Sequence, residues 1–202
     1  IYLKPDQLLK MIQKAFPSCS QLEKCQLLSG GAQNTIYQFQ MNGEKFILRI
    51  YARDRAHCKT EKEIHALIDS IVPTAQLIYA DDTSDAWPYA ILRFVSGIHV
   101  HHVSPDFKTS LSFELGRVLA LIHSFTFTQA GLFGYGLKIA KPFQLGSNPY
   151  FEEAAAILSR ESKARIRLGK KLADKVLVFI HLNQDVFPKV NQRICLTHSD
   201  FK

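Results

Sequence analysis

The dipeptide Asn42-Gly43 constrains the fold of this 202-residue chain more than any other short feature. It separates two stretches in which apolar and polar residues alternate. The apolar positions of these stretches are Tyr37, Phe39, Met41, Phe46, Leu48 and Ile50. Alternation with a period of two indicates strands with one buried face, and Asn-Gly is the strongest short signal for a tight β-hairpin turn. The sequence therefore predicts an antiparallel hairpin centred on Asn42-Gly43.

The rest of the first half predicts two helices and further strands. LKPDQLLKMIQKAF places Pro5 near a helix start and its apolar residues on one stripe, which is typical of an amphipathic helix. A second helix is predicted from the residues between Thr60 and Ile71, and Val72-Pro73 ends it. QLIYA and YAILRFV are strand candidates on either side of an acidic turn. We expect a small, mostly antiparallel sheet with one helix inserted after its third strand.

The second half of the chain is richer in helical patterns. An apolar stripe runs from Leu111 to Phe125, and residues 149–159 and 162–182 give two more helix candidates. Near the end of the chain, ICL at 194–196 indicates a short buried strand. This order predicts an α+β fold of two lobes. We expect an N-lobe at 1–94, a hinge at 95–97 and a helical C-lobe at 98–202.

Composition narrows the class of protein. The chain is 47% hydrophobic, yet no apolar run reaches the roughly 18–20 residues that cross a bilayer, so we expect a soluble protein with no membrane partner. Its four cysteines are scattered, which favours free thiols and a cytoplasmic location. The net charge of +7 is compatible with a nucleic-acid partner or with phosphate handling. The basic run at 160–175 lacks interleaved aromatic residues, so a solvated helix face is favoured over nucleic-acid binding.

Two stretches of the first half are candidate phosphate sites. SGGAQN, at 29–34, lies between two strands, and its glycines allow a tight turn with N–H groups available to phosphate oxygens. A plain Gly-Gly hairpin or bulge explains it equally well. Arg49 shares its strand face with Ile47 and Tyr51 because side chains alternate along a strand. It either lies on the exposed face of an edge strand, or points into a cleft where it pairs with Glu61 and binds phosphate.

The last motif of the sequence is CLTHSDF. Asp200 stands just beyond the predicted strand and next to His198 and Ser199, a position suited to accepting a proton from a substrate hydroxyl. An Asx-turn, in which side chains cap backbone groups, is the alternative. The HVHH run at 99–102 has no Cys or carboxylate at ligand spacing, so an exposed loop is favoured over a metal site there.

In this order the motifs resemble the aminoglycoside phosphotransferase and choline kinase-like family, whose members have the protein-kinase fold. LSGGAQNTIYQFQMNGEKFILRIY is similar to the family's nucleotide-covering loop and hairpin. The family's strand and hinge behind the adenine resemble WPYAILRFVSG, and its helix after the hinge resembles LGRVLALIHSF. The start of its catalytic loop, HxDxxxxN, resembles CLTHSDF. The resemblance implies transfer of a phosphoryl group from ATP to a hydroxyl group of a small molecule, with ATP and Mg²⁺ as cofactors.

The resemblance also implies roles for individual residues in binding the nucleotide phosphates. Gly30, Gly31 and Asn34 would lie near these phosphates. Arg49 would take the place of the family's strand Lys, which touches the α- and β-phosphates. Glu61 would hold Arg49 by an ion pair.

Other roles concern the base and the acceptor. The Arg93 carbonyl and the Val95 N–H would meet the adenine edge, Asp200 would orient the acceptor hydroxyl and accept its proton, and His198 would support the loop. The Asn of HxDxxxxN would fall three residues past Lys202, and the Asp that binds Mg²⁺ would come later. The resemblance therefore implies no metal site within this chain, an incomplete C-lobe and no catalysis by residues 1–202 alone.

The acceptor is left open among an aminoglycoside-like compound, an amino alcohol and a sugar. An aminoglycoside is a polycation and needs a carboxylate-rich cleft, whereas this chain carries a charge of +7. A metabolic alcohol, amino alcohol or sugar is therefore at least as compatible with the sequence. The alternative function is a kinase-fold binding module without catalysis. Two features favour it: Arg replaces Lys at position 49, and the family's metal ligands would fall past Lys202. The sequence gives no sign of oligomeric state.

Overall fold

The computed structural model of the chain describes residues 2–28, 34–98, 102–143, 149–159, 162–183, 185–186 and 193–198. The chain forms two compact units. The first contains residues up to 122 together with 133–138, and the second contains 123–132 and 139–198. An antiparallel sheet early in the chain and helices later in it confirm the α+β class. The lobe bounds at 1–94, 95–97 and 98–202 stay a prediction.

A five-stranded sheet forms the centre of the first unit. Its strands are β1 (Lys24–Leu28), β2 (Thr35–Met41), β3 (Glu44–Ile50), β4 (Leu77–Asp81) and β5 (Tyr89–Arg93). The order across the sheet is β1-β2-β3-β5-β4, and every neighbouring pair is antiparallel. The predicted hairpin and the two later strands are confirmed. Because β3 lies between β2 and β5, it is the central strand and not an edge strand.

The turn between β2 and β3 has the backbone geometry that its sequence predicts. Asn42 and Gly43 have φ angles of 51° and 75°, in the left-handed region that Gly and Asn tolerate best. Consecutive positive φ angles match the twist of the two flanking strands. The turn thereby fixes the register in which Phe39 lies opposite Phe46.

A first helix, α1 (Pro5–Ala15), covers one face of the sheet. Its buried residues Leu8 and Ile12 pack into the core formed by alternate residues of the central strands. These strand residues are Tyr37, Phe39, Phe46, Leu48, Ile50, Tyr89 and Ile91. The amphipathic helix predicted at the start of the chain is confirmed.

A second helix, α2 (Ala56–Ile68), follows β3 and packs on the opposite face. Its Cys58 is fully buried with Tyr51, Ala90 and Leu92, which alternate with the residues that face α1. Burial raises the pKa of the Cys58 thiol to about 12, so this thiol stays protonated at neutral pH. Each face of the sheet is thus covered by one helix, and α2 lies on the face that carries Arg49.

The later elements are mostly helical. Helix α3 (Lys108–Ile122) is followed by a short hairpin of β6 (Gly131–Phe133) and β7 (Ile139–Pro142), which the sequence pattern did not predict. Three helices come next, α4 (Pro149–Ile157), α5 (Lys163–Leu168) and α6 (Lys170–Leu182). The single helix predicted over 162–182 is wrong, because Gly169, at a φ of 77°, separates α5 from α6.

The strand predicted at 194–196 is reduced to one bridge. Cys195 pairs with Thr126, and the Leu196 N–H donates to the Phe125 carbonyl at 2.8 Å. Leu196 is buried, whereas Ile194 and Cys195 are half-buried. Among the described residues, every helix falls short of the length and apolar character needed to cross a membrane.

An ion pair between the exposed Lys14 and the buried Asp81 joins α1 to β4 and makes stability depend on pH. Lys14 Nζ lies 2.7 Å from Asp81 Oδ2. Burial would raise the pKa of the Asp81 carboxyl, but hydrogen bonds from Lys14 and Thr83 bring it below its ordinary value. The pair therefore stabilises the fold above about pH 4, and this contribution is lost as the pH falls through the lowered pKa.

We expect Lys14→Met to lower the free energy of unfolding in urea, because it leaves the buried carboxylate without its cation. The difference from the unaltered protein should be largest near pH 7 and shrink as the pH falls from about 4 through the lowered pKa of Asp81. Lys10→Met is the control, since Lys10 is an exposed lysine of the same helix. If Lys14→Met lowered the free energy of unfolding equally near pH 7 and well below pH 4, this account would be contradicted.

Candidate active site

Arg49 lies at the middle of the sheet and pairs with a carboxylate from α2. Its Nη1 bonds Glu61 Oε1, and both side chains are only about a quarter exposed, at 29% and 25%. The alternation of β3 directs Arg49 to the α2 face, since Leu48 and Ile50 on either side point into the opposite core. The edge-strand interpretation of Arg49 is wrong, and the structure brings Arg49 and Glu61 together.

Two further side chains surround Glu61. The Tyr51 hydroxyl donates to Glu61 Oε2 at 2.6 Å, so the two carboxylate oxygens have different partners. His65, one helical turn after Glu61, places Nε2 3.9 Å from Oε1. Sequence reasoning placed Tyr51 on the face of Arg49 but missed its bond to Glu61. The i, i+4 spacing of Glu61 and His65 was the available signal for that neighbour.

Charge and burial determine the protonation states of Arg49 and Tyr51. Burial disfavours the charged form of Arg49, but the charge and hydrogen bond of Glu61 outweigh it, so the pKa of Arg49 is raised. Burial and the negative charge of Glu61 both raise the pKa of the Tyr51 hydroxyl above its ordinary value. Arg49 is therefore a fixed cation and Tyr51 a neutral donor at neutral pH.

The strand register places apolar residues beside Arg49. Directly opposed residues of an antiparallel sheet share a face. Leu28 opposes Ile36, which in turn opposes Arg49. One row further along, Ile47 lies between Gln38 and Leu92 on the same face. The face of Arg49 thus combines a cation with aliphatic side chains, a combination suited to a ligand with a charged part and a flat apolar part.

The remaining predicted residues of the first unit are dispersed. Asn34 is half-buried just before β2. Arg93, at the end of β5, directs its side chain to Glu44 and Gln76, with Nη1 2.9 Å from Glu44 Oε2. Val95 follows in an exposed segment outside the helices and strands. Their roles toward a nucleotide stay predictions.

Three predicted residues fall outside the described part of the chain. Gly30 and Gly31 of the glycine-rich loop are among them, as is Asp200. His198 is described and lies exposed in the second unit, two residues after Leu196. Within the described ranges, no group of three His, Cys, Asp or Glu side chains could hold a metal ion.

Comparison with known proteins identifies the family. Residues 24–202 match the model of the phosphotransferase enzyme family. The chain belongs to this family. The match covers the sheet, α2 and the HSD motif, and it confirms the resemblance that these motifs indicated. No curated protein sequence matches the chain.

Solved structures of aminoglycoside phosphotransferases share the fold. Wild-type aminoglycoside 2'-phosphotransferase-IIIa, in complex with GDP, has 15% identity and a TM-score of 0.62 over 89% of this chain and 59% of its own. A thermostable mutant of aminoglycoside phosphotransferase APH(4)-Ia, in a ternary complex with ADP and hygromycin B, has 15% identity and a TM-score of 0.56 over 87% and 59%. These likenesses confirm the kinase-like fold, and the chain spans about 59% of the length of each relative.

A double-mutant cycle tests the coupling of Arg49 and Glu61. Glu61→Gln and Arg49→Met should each lower the free energy of unfolding by about 1–3 kcal/mol, because each leaves a partly buried charge without its partner. The double variant should lose less than the sum of the single losses. Urea denaturation near pH 7 gives the free energy of unfolding of the unaltered protein, the two single variants and the double variant. Losses that add to within about 0.5 kcal/mol would show that the two side chains are not coupled.

Proposed function

We propose that the protein is an ATP-dependent phosphotransferase that acts on a hydroxyl group of a small molecule. The observation that carries this proposal is the Arg49–Glu61 pair on the central strand, in a chain of the phosphotransferase enzyme family. Phosphoryl transfer depends mainly on positioning and on neutralising the charge of the phosphates. A guanidinium held in one place by a carboxylate supplies both.

Arg49 is the proposed ligand of the α- and β-phosphates. Glu61 engages Nη1, and among the described residues Arg49 Nε is buried without a hydrogen-bond partner. A buried donor that the protein leaves unsatisfied is costly, so a ligand oxygen that accepts from it would be favoured. The planar fork of Arg also suits phosphate geometry. Gly30, Gly31 and Asn34 are proposed to lie near the same phosphates.

The base of the nucleotide is proposed to lie on the aliphatic part of the Arg49 face. Leu28, Ile36 and Ile47 share this face with Arg49, as the strand register indicates. A flat base can pack against such side chains while polar backbone groups at its edge fix its orientation. The Arg93 carbonyl and the Val95 N–H are the proposed edge groups.

Asp200 is the proposed base that orients the acceptor hydroxyl and takes its proton, with His198 supporting the loop. A carboxylate in this role contributes by removing the proton as the oxygen attacks phosphorus. Mg²⁺ would neutralise phosphate charge during transfer. The described residues hold no suitable group of ligands for it, so we assign no residue and no step to the metal.

The ligands of the solved relatives suggest which substrate classes to test. One was crystallised with GDP, and the other with ADP and hygromycin B, an aminoglycoside. By analogy, this protein would bind a purine nucleotide and an acceptor that carries hydroxyl groups. The acceptor is proposed to be an aminoglycoside-like compound, an amino alcohol or a sugar.

Release of ADP from Mg²⁺·ATP by the complete gene product tests this function. We expect turnover with one member of a panel of aminoglycosides, choline, ethanolamine, homoserine and simple sugars. Asp200→Ala should lower kcat by about two to four orders of magnitude, since it removes the proposed base. The same panel with GTP tests the choice of donor.

The results of this assay distinguish an enzyme from a binding module without catalysis. Turnover that Asp200→Ala leaves unchanged would contradict the assignment of the base. Nucleotide binding without turnover on any acceptor would support the alternative of a kinase-fold binding module. Absence of nucleotide binding would contradict both functions.

A further inference from the structure

The loop between β6 and β7, residues 134–138, contacts the helix that carries Glu61. The Thr60 hydroxyl donates to the Gly134 carbonyl, and the Leu137 N–H donates to Glu63 Oε2 at 2.8 Å. Lys59 Nζ lies 4.5 Å from the centroid of the Tyr135 ring. The contacting residues are far apart in sequence, with a separation of 74 for both hydrogen bonds. The loop therefore binds α2 through tertiary contacts of three kinds.

The loop-binding residues occupy one face of α2, on the side opposite to the face that meets the sheet. Residues three or four apart lie on the same side of a helix. Thr60 and Glu63 are three apart, and so are Cys58 and Glu61 on the sheet side. A helix held on two opposite faces cannot rotate about its axis without breaking contacts on at least one of them. The loop thus fixes the rotation that directs Glu61 toward Arg49.

Gly136 allows the loop to approach the Glu63 carboxylate closely. Its φ angle is 69°, a conformation that favours glycine. A Cβ atom built at this position would lie 2.5 Å from Glu63 Oε2, so an alanine here requires the Glu63 side chain to move away. The loop is also closed on itself, since the Gly134 N–H donates to the Lys138 carbonyl at 2.8 Å. The backbone is therefore shaped to receive this carboxylate.

We propose that the 134–138 loop is a clamp that positions α2, and that Thr60 and Glu63 are positioning residues for the phosphate ligand Arg49. They act through Glu61, which holds the guanidinium in place. The clamp itself is inferred from contacts alone, whereas its purpose rests on the proposed function.

Amide hydrogen exchange tests the clamp without any ligand. Glu63→Ala removes the acceptor of the Leu137 N–H, and Gly136→Ala forces the carboxylate away. Both should speed exchange in Ala56–Ile68 by about tenfold or more, and leave the β2–β3 hairpin within about twofold of its original rate. Glu63→Gln should restore most of the protection, since its amide oxygen can still accept.

Gly43→Ala is the matched control for backbone strain. Gly43 also has a positive φ angle, 75°, but a Cβ atom there would meet nothing within 4 Å. It should therefore leave exchange in α2 unchanged. Equal acceleration in the sheet and the helix by Gly136→Ala, or unaltered α2 exchange in both Gly136→Ala and Glu63→Ala, would overturn the clamp.

Calorimetric titration with ADP and with adenosine tests the purpose of the clamp. Glu63→Ala should weaken ADP binding by about tenfold and leave adenosine binding unchanged, because only the phosphates contact Arg49. Glu63→Gln should restore ADP affinity. Absence of ADP binding by the unaltered protein would contradict the proposed function, while the exchange experiment would still decide the clamp. Equal losses for the two ligands would overturn the positioning role.

Discussion

The pairing of Arg49 with Glu61 is the interaction on which the first unit depends. A cation on the central strand of a sheet that helices cover on both faces needs an anion, because an unpaired buried charge is strongly disfavoured. The alternation of β3 directs Arg49 to the α2 face, since its strand neighbours Leu48 and Ile50 lie in the core under α1. Glu61 reaches it from α2, and Tyr51 occupies the second carboxylate oxygen. The Arg49–Glu61 contact therefore requires the central position of β3, the observed rotation of α2 and the pairing of opposite charges.

Much of the first unit could be predicted because its signals are local. Alternation around Asn42-Gly43 fixed the hairpin, and Pro5 with its apolar stripe indicated α1. The pairing of Arg49 with Glu61 followed from the order of motifs rather than from spacing. Periodicity alone left Arg49 between an edge strand and a cleft, and only the position of β3 in the sheet decided between them.

The features that could not be predicted depend on contacts between distant residues or on a single backbone angle. Glu63 and Leu137 are 74 residues apart, and nothing in the residues near either one indicates the other. The hairpin of β6 and β7 is too short to give a clear period of two. Gly169 lay within an otherwise helical pattern, where a glycine is compatible with continuation or with a break. Its φ of 77° is not helical, so the helix is interrupted at this residue.

The central claim is that Arg49, held by Glu61, binds the phosphates of a nucleotide. Calorimetric titration of Arg49→Met with ADP and with adenosine tests it most directly. The matched control is Arg117→Met, since Arg117 is an exposed arginine on α3 that pairs with Glu114. The account predicts that Arg49→Met weakens ADP binding by about tenfold to a hundredfold and leaves adenosine binding unchanged. Unchanged ADP affinity, or equal losses for both ligands, would contradict it.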